Sequence, residues 1–119
     1  MKRYFAFAAI ALSATLLAHE EPKGKPITLT AEVVDTGCYF SHDAPEAGHA
    51  ACARMCAQNG IPLALVDDKG ALYMVIASEH KNPNTKLMPF IEKKVKISGT
   101  LVEKGGMHGI VIKTVEAAQ

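Results

Sequence analysis

The sequence predicts a small, mainly β domain, in which five strands form a partly open barrel with one inserted α-helix. Three observations support this prediction. The chain has 119 residues, of which 49% are hydrophobic and 21% charged, a composition typical of one globular domain. Several segments alternate apolar and polar residues with a period of two, as half-buried strands do. One longer segment, residues 44–59, lies between helix start and stop signals.

The first 18 residues have the organisation of a secretory signal peptide. Lys2 and Arg3 precede an uncharged apolar run, which is shorter than the roughly 20 residues needed to cross a bilayer. We therefore predict a cleaved signal, a periplasmic or secreted location, and no stable membrane anchor after cleavage. Ala18 is the best candidate for the last residue removed, and Ala14 is the next. Residues 19–26 are polar and contain two prolines, which predicts a flexible tail before the domain at residues 27–117.

A strand and then the helix begin the predicted domain. Residues 27–33 alternate apolar and polar side chains, which is typical of a half-buried strand. The loop that follows this strand carries Cys38. Asp43 and Glu46 have the spacing of a capping box, and the Asn-Gly pair at positions 59–60 is a helix stop. The helix is therefore predicted between these two signals.

Two hairpins supply the other four strands. Two apolar runs, 63–66 and 71–77, flank a polar Asp-Asp-Lys-Gly turn and predict the first hairpin. A polar loop and one helical turn follow. The alternating residues 94–101 and the segment 109–115 flank a Glu-Lys-Gly-Gly turn and predict the second hairpin. A partly open barrel of the OB type is the economical closure, because it hides the edges that a flat five-stranded sheet would expose.

Charge and composition argue against several functions. Lys and Arg total 13, Asp and Glu total 12, and the chain has no Trp, so it lacks the basic and aromatic surface that nucleic-acid binding requires. We see no catalytic triad, phosphate-binding loop or dinucleotide fingerprint in the sequence. We therefore expect neither enzyme activity nor a nucleic-acid partner.

Three cysteines are the chemically distinctive residues, and an odd number is informative for an exported chain. One interpretation is a disulfide. Cys52 and Cys56 lie four residues apart on the predicted helix, where disulfide geometry is poor, so Cys38 is the better partner for either. Such a bond closes a loop of about 15 residues and would stabilise the fold by about 3 kcal/mol.

The other interpretation is a metal site. Residues four apart on a helix can bind the same ion, so Cys52 and Cys56 could share one with Cys38 from the end of the first strand. We expect Cys52 and Cys56 to face inward, and His49 lies on the same helix face and would complete a Cys3His set. Such a set suits Zn²⁺, and its thiolates also suit Cu(I). His42, in the preceding loop, is the alternative fourth ligand.

Two functional hypotheses follow from these alternatives. The first is an exported metal-binding protein, for zinc or copper, that acts as an accessory or carrier. The second is a disulfide-stabilised OB-like interaction module that binds a protein or small ligand and no metal. The second hypothesis depends on analogy with other proteins of this fold.

The chain also resembles a group of small exported bacterial domains of the OB type whose function is uncharacterised. This resemblance covers nearly all of the mature chain. It implies the fold and a shared Cys/His cluster, and it implies no particular activity. The motifs that carry it are Val34-Asp35-Thr36-Gly37-Cys38-Tyr39, His49-x-x-Cys52-Ala53-x-x-Cys56-x-x-x-Gly60-x-Pro62 and Val95-x-Ile97-x-Gly99.

Overall fold

A computed structural model of the chain describes residues 20–42 and 49–119. The predicted signal peptide, residues 1–18, and the predicted capping box of Asp43 and Glu46 lie outside the described residues. Within the part that is described, no helix is both long enough and apolar enough to cross a membrane.

Five strands close into a barrel with the spatial order β1-β2-β3-β5-β4. Neighbouring strands are antiparallel, except that β3 and β5 are parallel. This arrangement confirms the predicted mainly β, OB-like fold. The strands are β1 (Lys25–Asp35), β2 (Leu63–Asp67), β3 (Leu72–Val75), β4 (Lys94–Lys104) and β5 (Met107–Ala117).

The barrel is closed, whereas the sequence predicted a partly open one. Closure depends on β1, which has 11 residues and begins at Lys25, two residues before the predicted start. Its first part pairs with β4 and its last part pairs with β2. The parallel pairing of β3 with β5, from Tyr73 opposite His108 to Val75 opposite Ile110, joins the remaining edges. Because these contacts are distant in sequence, strand periodicity alone does not reveal them.

Two helices, not one, connect β1 to β2 within the described residues. They are α1 (Thr36–His42) and α2 (Ala50–Gln58). The sequence predicted a loop where α1 forms. The Asp35 carboxylate accepts hydrogen bonds from two backbone N–H groups of the first turn of α1, which explains how a segment containing glycine starts a helix. The end of α2 was predicted correctly: Gly60 follows it with φ of +90°.

The core of the barrel consists mainly of aliphatic side chains from the strands, with Leu87 and Ile91 from the segment between β3 and β4, and α2 covers part of it. Ala53 and Ala57 are the buried residues of α2, and both belong to the core cluster. The sequence predicted that Cys52 and Cys56 face inward, but Cys52 is exposed and Cys56 is half-buried. The largest fully buried side chains are Leu63, Leu65, Leu87, Ile97, Ile110, Val33 and Val95.

Asn84 fixes the end of α2 against the barrel. This residue is only 3% exposed and lies in a short 3-10 helix, Pro83–Lys86. Its Nδ2 donates to the carbonyl oxygens of Ala57, at 3.2 Å, and Ile61, at 2.9 Å. Its Oδ1 accepts from the backbone N–H of Leu63 at 2.9 Å. One side chain therefore joins the last turn of α2 to the start of β2.

Candidate metal centre

The three cysteines converge at one place in the structure. Cys38 lies on α1, and Cys52 and Cys56 lie one turn apart on α2. Their Sγ atoms are all within 4.8 Å of one another. All three are free thiols. A group of three sulfur atoms this close together, contributed by two helices, could hold a metal ion.

The connection between the two helices and the barrel brings these sulfur atoms together. The last residue of β1, Asp35, pairs with the first residue of β2, Leu63, so both helices leave and re-enter at the same end of the barrel. Thr36 strengthens this junction. Its backbone N–H and its Oγ1 both donate to the Pro62 carbonyl oxygen, at 3.1 and 2.8 Å. The start of α1 is therefore held beside the segment that follows α2.

The three thiols differ in how much solvent they meet. Cys38 is 9% exposed, Cys56 is half-buried, and Cys52 is exposed. An ion bound between them would therefore contact the protein on its inner side and be accessible to solvent on the side of Cys52. Exchange of such an ion would need no opening of the barrel.

Asp35 belongs to this site, although sequence reasoning gave it no role there. The residue is 3% exposed. Its Oδ1 accepts from the N–H of Gly37 at 3.2 Å, and its Oδ2 accepts from the N–H of Cys38 at 3.1 Å. The signal in the sequence was the Asp-Thr-Gly-Cys order, because Asp often accepts N–H groups two and three residues later at a helix start.

The carboxylate of Asp35 also favours the protonated form of two of the three thiols. Its hydrogen bond with the Cys38 thiol, followed by burial and by the carboxylate charge, raises the pKa of Cys38 to about 12. Burial, followed by the charge of Asp35, raises the pKa of Cys56 above its ordinary value. Without an ion, both thiols therefore remain protonated at neutral pH. A bound cation would replace these protons.

The two predicted histidine ligands lie outside the three-cysteine group. His49 directly precedes α2, and its Nδ1 is 2.9 Å from Oε1 of Glu92, with both side chains largely buried. Glu92 itself has a positive φ of 59°. His42 is exposed at the end of α1. The structure thus brings together three of the five predicted ligands, and ligation by either histidine stays a prediction.

The donor set fits a thiophilic transition-metal ion. Thiolates are ligands that Zn²⁺ and Cu(I) favour, whereas Ca²⁺ and Mg²⁺ favour oxygen. Structural Zn²⁺ sites are almost always four-coordinate, and the described cluster supplies three sulfur ligands. The alternative of a disulfide from Cys38 to Cys52 or Cys56 is not formed here.

Comparisons with known proteins found no matching family model, no matching curated protein and no matching solved structure. The function of the chain therefore has to be inferred from the chemistry of the cysteine cluster and its surroundings.

Proposed function

We propose that this protein is an exported carrier or accessory protein that binds one thiophilic metal ion, Zn²⁺ or Cu(I), and that it is not an enzyme. The observation that carries the proposal is the convergence of the Cys38, Cys52 and Cys56 Sγ atoms within 4.8 Å of one another. When ionised, the three thiols form a compact anionic donor set, and a cation is what such a set binds.

A carrier role is favoured over a structural role for the ion. The core cluster consists of strand residues, of Leu87 and Ile91 from the segment between β3 and β4, and of Ala53 and Ala57 from α2. None of the cysteines belongs to this cluster, so its packing does not depend on the sulfur atoms. Asn84 and the Thr36–Pro62 hydrogen bonds hold the two helices without an ion. The exposed thiol of Cys52 gives the ion a route in and out.

Metal titration of the reduced protein tests the proposal. We expect native mass spectrometry to detect one Zn²⁺ or one Cu(I) per chain, and competition with a chromophoric chelator gives each affinity. Cys52→Ser should lower the affinity at least tenfold, since removing one ligand of a metal site costs a large part of its binding energy. Met55→Leu is the matched control: Met55 is a 63% exposed sulfur residue on the same helix, and its loss should change nothing.

Two results would contradict the proposal. One is the absence of stoichiometric binding by the fully reduced wild-type protein. The other is a protein isolated without reductant that carries a disulfide and no ion, with a mass lower by two hydrogens than that of the reduced chain. That second result would favour the disulfide-stabilised interaction module instead.

Export is a separate part of the proposal. It is supported by the basic start and apolar run of residues 1–18. Expression of the full chain, followed by cell fractionation and amino-terminal sequencing, tests it. We expect a shortened chain outside the cytoplasm that begins after Ala18, and full-length protein in the cytoplasm would refute export.

A further inference from the structure

Asp35 places a buried carboxylate next to the three thiols. We propose that Asp35 is a specificity-determining residue of the metal site, which favours a divalent ion such as Zn²⁺ over monovalent Cu(I). This inference rests on the proposed function, because it concerns the choice of ion at the same site. Asp35 is not itself one of the three sulfur ligands.

The geometry keeps the charge of Asp35 in place. The side chain is 3% exposed, and each of its two oxygens accepts a backbone N–H, from Gly37 at 3.2 Å and from Cys38 at 3.1 Å. Both oxygens therefore act as hydrogen-bond acceptors, and the two hydrogen bonds hold the side chain at the start of α1.

The influence of this carboxylate extends to both helices. The N–H of Cys38 on α1 donates to its Oδ2 at 3.1 Å, and the Cys38 Sγ lies within 4.8 Å of the Sγ atoms of Cys52 and Cys56 on α2. In agreement with this placement, the hydrogen bond of Asp35, burial and the charge of Asp35 raise the pKa of Cys38, and burial followed by the charge of Asp35 raises the pKa of Cys56. The charge of Asp35 therefore lies beside the space between the helices that a bound ion would occupy.

A count of charges shows why this potential distinguishes the two ions. Three thiolates and Asp35 together carry four negative charges. Cu(I) compensates one of them and Zn²⁺ compensates two. Uncompensated charge is unfavourable in a partly buried site, and the attraction between Asp35 and the ion doubles with the charge of the ion. Asp35 therefore stabilises the divalent ion more than the monovalent one.

The ratio of the two affinities isolates this effect. If the same three thiols bind either ion, both ions displace the same protons, so the unfavourable ionisation of the cysteines cancels in the ratio. A change in the protonation of the cysteines would alter both affinities together. A change in charge next to the ion alters the ratio.

The test compares Asp35→Asn with the wild type by chelator competition, using Zn²⁺ alone and Cu(I) alone as probes. The amide keeps an oxygen that can cap α1, because Asn is as good a cap as Asp. We expect the ratio of Zn²⁺ affinity to Cu(I) affinity to fall about a hundred- to a thousandfold, the range expected from one charge about 4–6 Å from the ion at an effective dielectric constant near 20.

Asp67→Asn is the matched control. Asp67 also ends a strand, and its Oδ1 accepts the backbone N–H groups of Lys69 and Ala71 at 2.9 and 2.8 Å. It pairs with Ala31, four residues before Asp35 on β1, or about 13 Å away along the strand. Its replacement removes one half-buried carboxylate charge far from the cluster and should change the affinity ratio much less than Asp35→Asn does.

An unchanged ratio in Asp35→Asn would overturn the inference, and so would an equal fall in Asp67→Asn. If Asp35→Asn does not fold, Asp35→Ser provides a second variant, since Ser also caps helices, and the same fall in ratio is expected. If the reduced wild type binds neither ion, the metal-binding function itself fails. The wild-type titrations therefore separate that failure from a failure of the specificity inference.

Discussion

Cys38 and Cys52 belong to one sulfur cluster but meet different surroundings. Cys38 is buried against the Asp35 carboxylate, whereas Cys52 is exposed. Thiol reactivity depends on both access and the fraction of thiolate. The two residues should therefore differ strongly as nucleophiles in the ion-free protein, although either can be a ligand once an ion displaces its proton.

We expect iodoacetamide to alkylate Cys52 first and Cys38 last in the ion-free protein. A pKa raised from 9.0 to about 12 reduces the thiolate fraction of Cys38 at neutral pH about a thousandfold relative to an ordinary cysteine. The alkylation rate of Cys38 should then rise about tenfold for each pH unit until the pH approaches its pKa. Timed quenching and fragmentation mass spectrometry would assign the modified residue.

Asp35→Asn serves as the control for this reactivity, because it removes the negative charge that helps to hold the proton on Cys38. Its Cys38 should react faster than that of the wild type at neutral pH. Equal rates at Cys38 and Cys52 in the wild-type protein would contradict the described environment of the cluster.

At the scale of elements, the sequence predicted the strands more accurately than it predicted the helices. The alternation of residues 94–101 and the Gly105-Gly106 turn predicted the β4–β5 hairpin, because strand period and turn chemistry are local properties. The helix α1 was missed because Gly37 weakens helix propensity, while the cap from Asp35 becomes decisive only once the chain bends at the end of β1.

The candidate site, like the strands and helices, could be predicted only in part from the sequence. Helical spacing put Cys52 and Cys56 on one side of α2, and their convergence with Cys38 followed from the chain order. The partner of His49 did not follow, because Glu92 is 43 residues away and meets it only in the folded barrel. Contacts between distant segments depend on packing, which a local pattern does not contain.

The end of α2 offers a test of how the helix is held. Asn84→Ala should lower the free energy of unfolding by about 1–3 kcal/mol, because it removes the partner of the buried Leu63 N–H and the side-chain donor to the Ala57 and Ile61 carbonyl oxygens. Of these, the Ala57 oxygen still accepts from the Gly60 N–H. Urea unfolding followed by circular dichroism measures the change. Asn82→Ala is the control: Asn82 is exposed and caps only the 3-10 helix. A loss as large for Asn82→Ala as for Asn84→Ala would argue against this role of Asn84.

At the scale of the whole molecule, the barrel should remain folded when no ion is bound to the cysteine cluster. We expect the chelated, reduced protein to keep its β-type circular dichroism and to unfold cooperatively, because its core consists of aliphatic side chains. An ion present at a hundred times its Kd should then raise the free energy of unfolding by about 2.7 kcal/mol.

Cys52→Ser gives the control for this measurement, since the same ion concentration should stabilise it much less than the wild type. Collapse of the β signal on chelation would instead indicate a structural ion, as in zinc fingers, which unfold without metal. That outcome would contradict the carrier role.

Ala53 and Ala57 have a consequence for how this protein can change over time. Both side chains are single methyl groups pressed against the barrel, and they lie on the same helix as two of the sulfur atoms. A bulkier side chain at either position would lift the helix and spread the sulfur triangle. Substitutions at these two core positions are therefore constrained by the cysteine cluster on the same helix. The core contact and the cluster would have to change together in evolution.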